Sequence, residues 1–382
     1  LIMYVGLTLL SFSKVNSSDS IKEATGDMMM DNNNKPIQAH GGQIQKLGDL
    51  YYWIGEDKTN DYRPCPGIHM YTSKDLYNWK DEGLVLKTMK SENDFNDDYF
   101  KKLYGDLSSD KKKAIYEDLW QGSNGNSGCV IERPKMLFNK KTGKYVIWFH
   151  ADGTTPSGGA TGDYSKAKGG VAISDSPLGP FKLLGTYMLI NNDKYDHTWD
   201  NVGGHLRDMN LFQDDDGTGY IIYSSDGNTN TYIAKLSDTY TELSGGRNPV
   251  EGVDYIVTLI KNSREAPAMF KAHGKYYMIN SGCTGWAPNA ASYAMSDKVL
   301  GNLKAIGNPC GDNGAGTTYD TQSTCVFEAG DGNFIYMGDR WFSNKLRDSR
   351  YVWLPVEFDN QGYITLRKIS NWTLEIFNTI KP

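Results

Sequence analysis

Three short stretches of the chain each set a carboxylate beside an arginine or a proline, just ahead of an apolar run: IERPKMLF (131–138), LRDMNLF (206–212) and SREAPAMF (263–270). Their acids are Glu132, Asp208 and Glu265. One such acid reads as a structural ion pair with its neighbouring arginine. Three brought to one place are unfavourable unless they act on something, because clustered like charges push one another toward the protonated form. The reaction that uses such a cluster is hydrolysis of a glycosidic bond. It needs one carboxyl kept protonated to donate to the leaving oxygen, and a second group to activate water or attack.

For the three acids to meet, the chain must repeat, and it does. Glycine-containing turns flanked by aromatic and β-branched residues recur at 45–55, 138–149, 212–224, 270–281 and 327–338, each reading as a hairpin. A further strand follows with a Ser-Asp or Ser-Lys-Asp turn at 69–79, 171–181, 232–243 and 292–303, replaced in the last unit by 350–366. Fifty-seven residues separate Asp208 from Glu265 and again Glu265 from Gln322. Repeats of roughly 40–60 residues, each of three or four strands, pack radially. The expected fold is all-β, a five-bladed β-propeller over 36–382, preceded by an N-terminal segment (1–35). A charged insertion at 91–128 containing LSSDKKKAIYEDLW is expected to be helical. The terminal NWTLEIF reads as strand. The five innermost strands then begin at QAHGG (38–42), IERPK, LRDMN, SREAP and TQSTC (321–325), and these heads converge on one funnel.

Composition agrees. The chain is 12% aromatic, with 25 Tyr, 9 Trp and 41 Gly, which favours many short strands and tight turns. A net charge of −6 argues against a nucleic-acid partner. Residues Ile2–Leu10 are apolar and read as the tail of a secretory signal peptide, so a secreted protein is expected. No later run reaches the ~18 apolar residues of a membrane span. The five cysteines show no CxxC spacing; in an exported chain they permit one or two disulfides and leave at least one free thiol. No metal or other cofactor is expected. QDDDGTG (213–219) falls where every unit has its turn, the histidines lack paired ligand spacing, and SGGATG (157–162) has neither the lysine nor the helix of a phosphate cradle.

The combination QAHGG, ERPK, RDMNLF, REAP and TYDTQS, spread from about Pro36 to Trp372, resembles the blade heads of the family 43 glycoside hydrolases, and within them the exo-β-1,3-galactanase branch. The resemblance implies an inverting hydrolase that removes galactose from β-1,3-galactan, an oligo- or polysaccharide substrate, and a monomer is expected. It implies that Glu265 is the general acid and that Asp208 orients it and raises its pKa. Most of the family carries an aspartate at the first head as general base; QAHGG offers only Gln38 and His40, an absence the galactanase branch shares. Glu132 is then the candidate base, or else a group that accepts hydrogen bonds from sugar hydroxyls. Gln322 is placed to position water or bind sugar, an amide being too weak a base. Further sugar-binding candidates are Glu56, Tyr164, Asn228 or Asn230, Thr284, Trp286 and Asn289. An α-L-arabinofuranosidase, β-xylosidase or β-galactofuranosidase on the same scaffold is the alternative, and so is a non-catalytic carbohydrate-binding propeller.

Overall fold

The computed structural model describes residues 26–195 and 203–380; the apolar stretch at Ile2–Leu10 lies outside them. Among the described residues twenty strands form five sheets, each a four-stranded antiparallel meander in sequence order. Blade 1 is β1 (His40–Leu47), β2 (Leu50–Glu56), β3 (Gly67–Ser73) and β4 (Lys80–Lys87). Blade 2 is β5 (Cys129–Asn139), β6 (Lys144–Gly153), β7 (Lys168–Ser174) and β8 (Lys182–Tyr187). Blade 3 is β9 (Met209–Gln213), β10 (Gly219–Ser225), β11 (Asn230–Lys235) and β12 (Tyr255–Thr258). Blade 4 is β13 (Arg264–Ala272), β14 (Lys275–Gly282), β15 (Ser292–Ser296) and β16 (Lys304–Gly307). Blade 5 is β17 (Gln322–Gly330), β18 (Asn333–Arg340), β19 (Arg350–Phe358) and β20 (Ile364–Leu366). The innermost strands meet in a ring, β1 against β5, then β9, β13 and β17, and β17 closes on β1. The chain is a five-bladed β-propeller.

Local sequence explains the repeat. The hairpins of blades 4 and 5 turn on His273–Gly274 and Asp331–Gly332, all four residues at positive φ. That is the turn whose twist matches the flanking strands. In SKDLYNW the Ser73 hydroxyl accepts from the amides of Asp75 and Leu76, and Leu76 folds back to full burial. QDDDGTG is the β9–β10 turn, and Asp214 and Asp215 both pair with Lys271 of the next blade.

The hydrophobic core is five wedges, one at each blade junction. The junction of blades 5 and 1 holds Trp53, Trp79, Tyr351 and Trp353, all buried and meeting edge to face or tilted. Such aromatic pairs each contribute about 0.5–1.5 kcal/mol beyond the area they bury. The C-terminal segment caps this wedge, but not as the strand expected from NWTLEIF. Leu374–Asn378 is a 3-10 turn started by the Thr373 hydroxyl on the Glu375 amide, and Trp372 and Phe377 bury against the wedge. The alternation of apolar residues there serves one turn packed against a wall.

The insertion carries two helices, α1 (Asp98–Tyr104) and α2 (Ser109–Leu119). Ser108 caps α2, while Ile115 and Leu119 bury in the wedge between blades 1 and 2. All five cysteines are free thiols, so neither of the permitted disulfides forms. No helix among the described residues is long and apolar enough to cross a membrane.

Candidate active site

Four of the five innermost strands break their register at the head. The irregularities lie between His40 and Gln43, Glu132 and Lys135, Glu265 and Ala268, and Ser323 and Cys325. Bulges re-aim side chains and are common beside active sites. In ERP and EAP the bulged residues Arg133 and Ala266 sit at φ 54° and 53°. That left-handed conformation is unfavourable for a residue with a Cβ. It turns Glu132 and Glu265 into a cavity of about 420 Å³ at the funnel, which Asp208, Gln322 and Glu56 also line.

Arg133 ties the heads together. Its guanidinium donates to the Ser323 carbonyl at 2.9 Å and to Gln322 Oε1 at 2.6 Å, and it pairs with Asp208 Oδ2 at 3.2 Å. Its backbone amide donates to Glu56 Oε1 at 2.8 Å. Gly41, at φ 54°, leaves room for this: a Cβ there would lie 2.1 Å from Glu56 Oε1. Gly41→Ala is therefore expected to displace Glu56 and weaken sugar binding by about tenfold or more, on top of ~1–2 kcal/mol of backbone strain. Ligand titration and thermal melts measure the two effects.

The carboxylates are held in opposite states. Burial and then the nearby charge of Asp208 push Glu265 up to about 8. Asn228 Nδ2 donates to its Oε1 at 2.7 Å, which fixes the carboxyl's direction. Asp208 Oδ2 accepts from the Ala266 amide at 3.0 Å, so it also grips the peptide next to Glu265. Glu132 behaves oppositely. Burial would raise it, but the hydrogen bond and charge of His150 overrule burial and hold it down to about 2. His150 Nδ1 lies 3.1 Å from Glu132 Oε2, and its Nε2 lies 2.7 Å from Asp152 Oδ2. Burial lowers the His150 pKa, yet the two carboxylates win and lift it to about 9. At neutral pH His150 is an imidazolium between two ionised acids. Glu56 is raised by burial, against the pull of Lys58, whose Nζ lies 2.8 Å from Glu56 Oε2.

Ligand atoms of Glu132, His150 and Asp208 lie within 4.8 Å of one another, a spacing fit for a cation. Each of these groups also has an ionic partner within the protein: His150 lies between Glu132 and Asp152, and Arg133 pairs with Asp208.

Of the residues singled out in the sequence, Glu265, Asp208, Glu132, Gln322, Glu56, Tyr164, Asn228 and Trp286 line this one cavity. Thr284 and Asn289 do not. Asn289 bridges Gly282 and Thr284, and the Thr284 hydroxyl donates to the Ala287 carbonyl, so both shape the loop that carries Trp286. Asn230, the alternative to Asn228, is buried on Asp226 and the Lys261 amide. The cavity also includes His150, Arg207, Cys283 and Trp341, which sequence reasoning missed. The one available signal was position: His150 stands directly across from Glu132 in the β5–β6 register. Around the mouth Trp286 meets Trp341 and Tyr62 edge-on, and Arg207 lies over the ring of Tyr164. Apolar faces beside fixed polar groups suit a sugar ring.

Residues 35–342 match the family model for Glycosyl hydrolases family 43. Among solved structures, a family 43 β-1,3-galactosidase is 34% identical over 93% of this chain and 64% of its own, with a TM-score of 0.74. This chain thus spans less than two thirds of that relative. A second family 43 β-1,3-galactosidase, solved with galactodeoxynojirimycin, is 33% identical over 91% of this chain and 99% of its own, with a TM-score of 0.73. An exo-β-1,3-galactanase from Clostridium thermocellum is 29% identical over 91% of this chain and 66% of its own, with a TM-score of 0.69. A search of curated protein sequences gave no match.

Proposed function

Because the chain belongs to glycosyl hydrolases family 43, we propose that it is an inverting, exo-acting hydrolase releasing galactose from the non-reducing end of β-1,3-galactan, such as an arabinogalactan backbone. It would work as a secreted monomer. The pairing of Glu265 with Asp208 carries the chemistry of this reading. A carboxyl lifted to about 8 is protonated at neutral pH and is held by Asn228 toward the cavity. In this reading Glu265 donates its proton to the glycosidic oxygen as the bond to the anomeric carbon breaks. Water adds to the opposite face of that carbon, and the proton the water loses passes to solvent. Asp208 keeps that proton in place by its charge and holds the backbone beside it. The likeness to β-1,3-galactosidases supports galactose as the sugar. A cavity of about 420 Å³ walled by Tyr164, Trp286 and Trp341 suits one terminal residue better than a passing chain.

Of the two roles open to Glu132, this reading favours the grip on sugar hydroxyls over the base. A carboxylate held near 2 is ionised throughout the working range but has little affinity for a proton. Gln322 is fixed as well: its Oε1 accepts from Arg133 and from the Trp341 indole, and its Nε2 donates to Ser281. It can orient a water or a hydroxyl without taking a proton. Glu132→Gln separates the roles. Loss of a charged hydrogen bond, about 1.5–3 kcal/mol, should lower kcat/KM by about 10–100-fold, chiefly through KM. A collapse of kcat in Glu132→Ala that azide rescues would instead make Glu132 the base.

The sugar is tested with β-1,3-galactobiose beside aryl α-L-arabinofuranosides, β-xylosides and β-galactofuranosides. Turnover of the galactobiose alone supports the proposal. Preference for a pentoside would redirect it, and no hydrolysis of any substrate would favour a binding module.

A further inference from the structure

We propose that Asp118, in the helical insertion and outside the cavity, is a positioning residue: through Lys166 it holds the loop 154–167 that carries Tyr164 into the site. The inference rests on the reading above in taking Tyr164 as a wall of the sugar pocket. Asp118 Oδ1 accepts from Lys166 Nζ at 2.6 Å and from the Thr186 hydroxyl at 2.8 Å. The two charged side chains are 14% and 4% exposed, so water screens the pair little. The adjacent Glu117 Oε2 accepts from the Ser157 hydroxyl at 2.7 Å, at the other end of the same loop.

These two acids stand in the last turn of α2, which holds no basic residue. Carboxylates there oppose the helix dipole, typically by 0.3–1 kcal/mol, so their placement works against the helix itself. What they serve is the tertiary contact. The helix can act as an arm because Ile115 and Leu119 anchor it in the wedge between blades 1 and 2.

The loop needs such an arm. Tyr164 and Ala167 adopt φ of 61° and 40°, left-handed conformations that persist only when surroundings enforce them. Beyond the insertion, Arg63 pairs with Asp163, and the Ala167 amide donates to Asp152 Oδ2 at 3.1 Å. Asp152 Oδ2 is also the partner of His150, whose ring lies 6.2 Å from that of Tyr164. His150 and Asp152 stand on β6, outside the loop, so displacing the loop moves Tyr164 away from a fixed neighbour.

The test is a double-mutant cycle. Asp118→Ala should raise KM by about tenfold and leave kcat within about twofold, and should add nothing to Tyr164→Ala. Trypsin should also cut faster after Lys166 or Lys168. The proteolysis readout does not depend on which sugar is cleaved, so failure of the galactan reading and failure of the brace are distinguishable. Should Asp118→Ala fold poorly, Asp118→Asn removes the charge at constant size. Wild-type KM and trypsin resistance in either variant would overturn the proposal, as would an equal KM penalty in the Tyr164→Ala background.

Discussion

Glu265→Gln is expected to lower kcat on β-1,3-galactobiose by about 10²–10⁴-fold, the usual contribution of a positioned general acid. Glutamine keeps the shape and still meets Asn228, but it has no proton to give. An aryl galactoside with a strongly acidic leaving group should be spared most of the loss, because its departing oxygen needs little protonation. A general collapse on both substrates would point to misfolding or lost binding. Stability moves the other way. With its folded pKa at about 8 against an ordinary value of 4.5, Glu265 favours the folded state fully at low pH. That contribution is lost as pH rises from the ordinary carboxyl range through about 8. Glutamine cannot ionise. The variant should therefore melt above the wild type at pH 8 and close to it at pH 4, as read by scanning calorimetry.

Asp208→Asn is expected to shift the pH profile as well as the rate. With Glu265 as the proposed proton donor, kcat/KM of the wild type should fall as pH rises through about 8. Asparagine removes the charge that, after burial, does most to hold the proton on Glu265. The alkaline limb must then move to lower pH. The substitution also costs the ion pair with Arg133 and weakens the acceptor for the Ala266 amide. Looser placement of the acid should lower kcat on the order of 10²-fold even at the new optimum. A lower rate with an unmoved alkaline limb would leave Asp208 a purely structural role.

Much of this was legible in the chain. Carboxylates followed by Arg-Pro or Ala-Pro marked the blade heads because a bulge with positive φ must stand where the strand turns its side chain to the axis. The hairpins announced themselves through glycine and aromatic residues. The outermost strands did not: Lys304–Gly307 is exposed along its whole length and carries no apolar alternation to read. Thr284 and Asn289 looked like sugar ligands because polar loop residues serve ligands and turns alike, and here they satisfy their own backbone. The state of Glu132 was beyond reach for another reason. It depends on His150 across the β5–β6 pair and on Asp152 beyond it, a relation that exists only once the register is known. Asp118 and Lys166, 48 positions apart, are the same kind of case.

The most direct test of the account follows the first product of β-1,3-galactobiose cleavage by proton NMR before mutarotation. Water entering opposite the departing sugar, with Glu265 as proton donor, predicts α-galactose first and the β-anomer only as the sugar equilibrates. Initial release of β-galactose, or no release from a folded enzyme, would contradict it.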